Sequence, residues 1–125
     1  MKILVPTAGT AAAQNSAHYI VDIAARMNAD VVALHIVRDG ESEAEAAEGP
    51  RVFADAGREA GVKVIERVES GKIVPTIHMV ADEVSAGLII MGASNGTVVG
   101  RWTSSNVLDT SNIPVLVIPH VMEES

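Results

Sequence analysis

The sequence contains no cysteine and very few aromatic residues. The lack of cysteine excludes disulfide bonds and thiol chemistry, and it fits a reducing compartment such as the cytoplasm. Only one Trp, one Tyr and one Phe occur, although hydrophobic residues make up 48% of the chain. A core of this composition must be built from aliphatic side chains, which are the residues that fill a parallel sheet covered by helices.

Positive charge and long apolar segments are also scarce. Nine Lys and Arg stand against sixteen Asp and Glu, which gives a net charge of −7. Because nucleic acids and anionic membranes are bound by clusters of basic residues, we expect neither as a partner. No apolar stretch approaches the roughly 20 residues that span a bilayer, and the first apolar run stops at Pro6, so no secretory signal is expected. The sequence therefore predicts a cytoplasmic protein without membrane insertion.

Short aliphatic runs alternate with helical patterns along the chain. We expect strands at residues 3–6, 31–37, 62–68, 88–91 and 115–118, and helices over 17–27, 50–61 and 74–84. Helix-length connections return a chain to a parallel neighbouring strand. Since no linker or repeat interrupts the pattern, the sequence predicts one doubly wound α/β domain over residues 1–125, with five parallel strands and helices on both faces.

The helix boundaries follow from individual residues. Asn15 or Ser16 is expected to cap the first helix at its start, and Asn28 is placed to end that helix in a left-handed conformation. Gly61 is expected to close the second helix. Residues 38–49 are acidic and rich in alanine, a composition typical of a solvated helix face or a loop. We therefore expect the regular part of the second helix to begin at Pro50, which suits a first helical turn.

Five segments of the chain resemble the universal stress protein family: Lys2–Thr7, Val32–Val37, Ala60–Val64, Leu88–Gly92 and Val107–Pro119. The resemblance covers nearly the whole chain and implies the strand order 3-2-1-4-5. Many members of that family bind ATP between the first and fourth strands, and ligands of open α/β sheets generally bind where the strand order reverses. No cofactor is certain, but the resemblance makes ATP or AMP the candidate.

The adenine side of that site departs from the family pattern. Members commonly carry an acidic residue after the first strand, in a pattern such as V-P-x-D-G-S, whereas this chain has Ala8 there. Only backbone groups near Thr7 and Ile36 then remain to contact a base. Loss of one partner of a buried polar contact typically costs about 1–3 kcal/mol, or roughly one to two decades of affinity. We therefore expect weak or absent nucleotide binding.

The phosphate side departs as well. Gly92 matches the first glycine of the family loop, but Asn95 stands where the second is expected, with Gly96 one place later. An alignment without gaps at the C-terminal end puts Gly100 at the last glycine and Ser104 at the helix start, whereas the alternative alignment puts Ser105 and Asn106 there. The candidate phosphate contacts are Gly92, Ser94, Gly96, Gly100, Arg101, Ser104 and Ser105. A tight turn that is capped by Ser and Thr is the other interpretation of this segment.

No catalytic or metal-binding residue is predicted. The four histidines lack metal-ligand spacing, and His35, near the end of the second strand, is interpreted as a hydrogen-bonded structural residue. Three hypotheses remain: a nucleotide-free dimeric interaction module with an unknown protein partner, a weak adenine-nucleotide sensor and, least favoured, a nucleotide hydrolase. In the resembled fold, strand Pro114–Pro119 lies at a sheet edge, and its apolar run predicts a homodimer through this strand. The competing interpretation is that the tail His120–Ser125 folds over this edge and leaves a monomer.

Overall fold

Strands and helices alternate throughout the structure, a computed structural model that describes residues 1–7, 10–92 and 105–118, apart from the side chains of residues 10–12 and 15. The elements are β1 (Lys2–Thr7), α1 (Thr10–Arg26), β2 (Asp30–Ile36), α2 (Glu43–Ala60), β3 (Val64–Glu69), α3 (Ile73–Glu83), β4 (Leu88–Gly92) and β5 (Val115–Ile118). Residues 105–110 are helical and are called α4 here.

The strands form one parallel sheet in the order β3-β2-β1-β4-β5. The central strand β1 pairs with β2 along its whole length, from Lys2 opposite Asp30 to Thr7 opposite His35. On its other side it pairs with β4, where Ile3 lies opposite Leu88. The predicted α/β fold and the strand order implied by the resemblance are therefore confirmed.

Aliphatic side chains fill both faces of the sheet because successive residues of a strand point to opposite faces. Ile3 and Val5 belong to a cluster with side chains of α1 and α2, whereas Leu4 belongs to a second cluster with side chains of α3 and α4. Phe53 of α2 is fully buried in the first cluster. The helices thus cover both faces, and a parallel sheet that is buried in this way needs continuous apolar strands.

The expected start of the second helix was wrong. Helix α2 begins at Glu43, and Pro50 lies inside it as a buried residue. The Ser42 hydroxyl accepts a hydrogen bond from the Glu45 N–H, and the Glu45 carboxylate accepts one from the Ser42 N–H, both at 3.1 Å. This reciprocal capping box satisfies two N–H groups of the first turn and fixes the start of the helix.

The starts of α1 and β3 differ from the predicted positions, whereas the ends of α1 and α2 agree with them. Helix α1 begins at Thr10, so the expected caps Asn15 and Ser16 lie within it. Strand β3 begins two residues late, because the Val62 N–H donates to the Gly57 carbonyl at the end of α2. Asn28 has a φ angle of 54°, which confirms the left-handed end of the first helix. Gly61 closes α2 as expected, and its φ angle of 72° is also left-handed. Among the described helices, none combines the length and the apolar character that crossing a bilayer requires.

The close approach of α2 to β3 gives a test of the packing. A Cβ atom on Gly57 would lie 2.5 Å from Val64 Cγ2 and 2.7 Å from the Val62 carbonyl oxygen. Replacing a helical Gly by Ala ordinarily gains about 1 kcal/mol, but overpacking costs about 1–3 kcal/mol and the Val62 backbone is held in the helix cap. We expect Gly57→Ala to lower the free energy of unfolding in urea by about 1 kcal/mol or more.

The control for this prediction is Ala60→Gly at an exposed position of the same helix. That variant measures the difference in helix propensity without the contact. A Gly57→Ala protein that is more stable than the parent would show that the α2–β3 contact tolerates a methyl group.

Candidate functional site

The strand order makes the carboxyl edge of the sheet between β1 and β4 the candidate site. In an open parallel sheet a ligand is expected beyond the carboxyl ends of the strands where the strand order reverses, which here is between β1 and β4; this position is called the crevice below. Thr7 lies opposite His35, and continuing the β1–β4 register places Thr7 level with Gly92. Gly92 in turn lies opposite Ile118.

The structure brings three of the predicted site residues to this edge. Thr7, Ile36 and Gly92 are the last residues of β1, β2 and β4. Ser105 is an exposed residue of α4. The other six candidates, Ala8, Ser94, Gly96, Gly100, Arg101 and Ser104, lie outside the described residues.

The hydroxyl of Thr7 is the unusual polar group of the crevice. Its Oγ1 atom is buried and has no hydrogen-bond partner in the part of the chain that the structure describes. Buried polar groups almost always have a partner, and an unsatisfied one typically costs about 1–3 kcal/mol. An oxygen or nitrogen atom of a ligand at the end of β1 would satisfy this hydroxyl.

A buried histidine ties the end of β1 to the connection that follows β2. The side chain of His35 is only 3% exposed. Its Nδ1 lies 3.2 Å from the Thr7 carbonyl oxygen, and its Nε2 lies 2.7 Å from Glu41 Oε1. The expected hydrogen bonding of His35 is thus confirmed, and both partners lie at the carboxyl edge of the sheet. The name histidine clamp is used below for Thr7, His35 and Glu41.

The carboxylate of this clamp is held by more than the histidine. Glu41 Oε1 also accepts a hydrogen bond from the Arg38 N–H at 3.1 Å, and Oε2 accepts one from Arg38 Nη2 at 3.2 Å. The hydrogen bond from the Arg38 backbone and that from His35 lower the pKa of Glu41 from 4.5 to about 2, since both favour the charged carboxylate. Glu41 is therefore ionised at neutral pH.

Sequence reasoning missed Glu41. Residues 38–49 were interpreted as a solvated face or loop, yet the Glu41 side chain is only 7% exposed. The capping-box pattern formed by Ser42 and Glu45 could have predicted the position of Glu41. It starts α2 directly after Glu41, and it therefore holds the connection between β2 and α2 close to the end of β2.

A separate cavity of about 360 Å³ opens beside the clamp. It lies between the carboxyl ends of β2 and β3 and the first turns of α2. Its lining residues are Val37, Glu41, Ser42, Glu43, Ala46 and Val68. Thr7 and Gly92 do not contribute to this lining, so the cavity is distinct from the crevice.

The charges on β3 form ion pairs. Arg67 hydrogen-bonds to Glu83 of α3 and, at 2.8 Å, to Glu69. The hydrogen bond to Glu83, and then that to Glu69, raise the pKa of Arg67, while Arg67 lowers the pKa of Glu83. No group of three or more His, Asp or Glu side chains suited to a metal ion occurs within the described ranges.

The sequence and the structure were compared with known proteins, and both are similar to the same protein family. A sequence model described as the universal stress protein family matches residues 1–119. A universal stress protein solved in complex with cAMP is 26% identical, with a TM-score of 0.80 over 96% of this chain and 97% of that chain. A protein of the same family from Burkholderia pseudomallei is also 26% identical, with a TM-score of 0.71 over 94% of this chain and 95% of that chain.

A third solved structure shares the fold at lower identity. The universal stress protein from Archaeoglobus fulgidus in complex with dAMP is 21% identical, with a TM-score of 0.76 over 94% of this chain and 97% of that chain. Among curated proteins, no sequence matches this chain significantly.

The low pKa of Glu41 predicts a specific loss of stability in acid. Because the pKa of the folded state is depressed, the stabilisation is complete above about pH 4.5 and disappears as the pH falls towards about 2. We expect the free energy of unfolding to fall more steeply with decreasing pH in the parent protein than in Glu41→Gln. The difference between the two slopes should correspond to the binding of up to about one additional proton by the unfolded parent protein. Urea titrations at several pH values measure the two slopes.

The comparison has an internal control. Glu83 also has a lowered pKa, but it titrates in both proteins and cancels in the difference. Parallel pH dependences for the parent and Glu41→Gln would show that the clamp does not hold the carboxylate in solution.

Proposed function

This chain belongs to the universal stress protein family, and from that premise we propose that it is a regulatory protein that binds an adenine nucleotide weakly in the crevice and acts as a homodimer. The observation that carries the nucleotide part is the buried Thr7 hydroxyl at the end of β1, which has no hydrogen-bond partner among the described residues. The cAMP complex of a protein that is 26% identical supports the same class of ligand.

The residues at the crevice fit an adenine nucleotide in part. Backbone groups at Thr7 and Ile36 would contact the base, and the Thr7 hydroxyl would gain a polar partner from the ligand. Gly92, at the end of β4, leaves room for a phosphate group near the backbone. Ala8 offers no carboxylate to the adenine amino group, so we propose an affinity below that of members that carry the acid.

We do not propose hydrolysis. Glu41 is bonded to His35 and Arg38, and a carboxylate with a pKa of about 2 is a poor general base at neutral pH. Glu69 and Glu83 are both paired with Arg67. None of these three described carboxylates is therefore placed as a general base for phosphoryl transfer.

The nucleotide proposal is tested by calorimetric titration of ATP, ADP and AMP, with and without Mg²⁺, into protein free of co-purified nucleotide. We expect dissociation constants weaker than the low micromolar range. The variant Ala8→Asp restores a carboxylate acceptor for the adenine amino group, and it should tighten AMP binding by about one decade.

GMP is the matched control ligand, since guanine lacks the amino group that the restored carboxylate would accept from. Ala8→Asp should not tighten GMP binding. Low-micromolar binding by the parent would contradict the expected weakness, and equal tightening for AMP and GMP would contradict the adenine contact.

The proposed dimer rests on the contrast between the two edges of the sheet. On edge strand β3, Glu66, Arg67 and Glu69 place charges that discourage pairing with another strand. On edge strand β5 the run Val115–Ile118 carries no charge, and Leu116 is 42% exposed. β5 is the last strand of the sheet among the described residues, and pairing it with the same strand of a second copy would extend the sheet and cover Leu116 in a two-fold interface.

Sedimentation equilibrium at micromolar concentration tests the dimer. We expect a species of about twice the 13.0 kDa mass of one chain for the parent, and a monomer for Leu116→Lys, because the variant would bury two charges in the interface. Met79→Lys is the control, since Met79 is similarly exposed, at 49%, but lies on α3. A monomeric parent, or a dimer that survives Leu116→Lys, would contradict the interface.

A further inference from the structure

The cavity between the ends of β2 and β3 has no part in the proposed nucleotide contacts. Its volume of about 360 Å³ lies in the lower part of the range that small-molecule pockets of proteins occupy. The residues that line it are Val37, Glu41, Ser42, Glu43, Ala46 and Val68. Because Thr7 and Gly92 are not among them, an occupant of this cavity would be a molecule other than the nucleotide proposed for the crevice.

The floor of the cavity is apolar because of the strand register. Val31 of β2 and Val64 of β3 pack in the core cluster that contains side chains of α1 and α2. Side chains of a strand alternate between its faces, and the Val37 N–H continues the ladder by donating to the Glu69 carbonyl at 2.9 Å. Val37 and Val68 therefore face the same side of the sheet as Val31 and Val64. Unlike those two residues, Val68 is 42% exposed.

The first turn of α2 covers this floor incompletely. The helix contributes only a methyl group at Ala46, and the residue before the helix, Ser42, has its hydroxyl bonded to the Glu45 N–H at 3.1 Å. Small side chains at these two positions leave the space between the helix and the strand ends open. Since β3 is the outer strand of the described sheet, the cavity lies at the sheet edge, where a small molecule can reach it.

The charged groups of the lining are both carboxylates. Glu41 is buried and bonded to His35 and Arg38, so its oxygens are largely engaged. Glu43 is exposed and has no hydrogen bond or ion pair with another of the described residues. The lining contains no Lys or Arg. A cation would therefore complement Glu43, whereas an anion would be repelled by both carboxylates.

The start of α2 does not reverse this preference. A helix N-terminus carries a partial positive charge of roughly half an elementary charge, which favours anions. In this helix the first turn already contains Glu43 and Glu45, and the Ser42 hydroxyl occupies the Glu45 N–H. Two carboxylates outweigh the partial charge of the helix end.

We propose that this cavity is a second ligand site, which binds a small organic cation with an apolar body, such as an alkylammonium ion. The apolar body packs on Val37 and Val68, and the ammonium group lies near Glu43. A small molecule fits better than a protein partner, because a stable protein interface buries about 800 Å² on each side. Within the lining, Val68 is the one large apolar side chain that is exposed. This site is independent of the proposed nucleotide function.

The test uses hexylammonium as the probe, titrated into the ¹⁵N-labelled full chain and followed by ¹H–¹⁵N spectra. We expect saturable shifts concentrated at the amide signals of residues 37–46 and Val68, with a dissociation constant of about 1 mM. High salt should weaken binding, because Glu43 is exposed to solvent. Hexanol and hexanoate have the same chain without charge and with negative charge. Hexanol should bind about two- to fivefold more weakly than hexylammonium, and hexanoate more weakly still.

Two conservative variants separate the charge from the apolar floor. Glu43→Gln keeps the size of the side chain, and it should weaken hexylammonium binding about two- to fivefold and leave hexanol binding unchanged. Val68→Thr keeps the branched shape but replaces a methyl group by a hydroxyl, and it should weaken binding of both probes about three- to fivefold. Glu59→Gln removes a carboxylate from the other end of α2 and is the matched control, which should change neither affinity.

Three results would overturn the proposal. The first is the absence of saturable shifts at the lining residues with about 20 mM hexylammonium. The second is binding of hexanol or hexanoate as tight as that of hexylammonium, which would show a site without preference for a cation. The third is an affinity for hexylammonium that neither Glu43→Gln nor Val68→Thr changes, since the probe would then bind elsewhere.

Discussion

The parallel pairing of β1 on both of its sides is the constraint on which the remaining structure depends. β1 is joined to β2 along its whole length and to β4 at its first half, and Ile3, Leu4 and Val5 are almost completely buried. A central strand of this kind must be apolar on both faces, and its neighbours must return through helices because parallel strands cannot be joined by short turns. The same pairing places the carboxyl ends of β1 and β4 at one edge of the sheet, where the strand order reverses.

A cluster of buried polar groups lies where the apolar strands β1 and β2 end. Within the layers an unpaired polar group would be costly, and His35 and Glu41 are accordingly bonded to each other and to backbone groups. The Thr7 hydroxyl lies at the same level and has no such partner among the described residues. The contrast between a satisfied clamp and a hydroxyl without a described partner is the basis for proposing a ligand at the end of β1.

The two edge strands of the described sheet differ in charge, which affects whether another strand can pair with them. At β3, Arg67 and its two carboxylate partners form a charged rim that is fixed to α3. At β5, an uncharged run with a half-exposed Leu116 leaves an edge suited to another strand. This asymmetry is the basis of the proposed association through β5, which would give a closed pair rather than an extended array.

The sequence by itself determined the strands, the parallel α/β class and the helix ends at Asn28 and Gly61, because aliphatic runs and left-handed helix ends are local patterns. The strand order was implied only by the family resemblance, since periodicity does not say which strands are neighbours. Pro50 was misread because a proline inside a helix looks locally like one at its start. Only the tertiary structure decided the environment of Glu41, which a composition rule assigns to solvent, because burial beside His35 depends on how β1, β2 and the capped α2 meet in space.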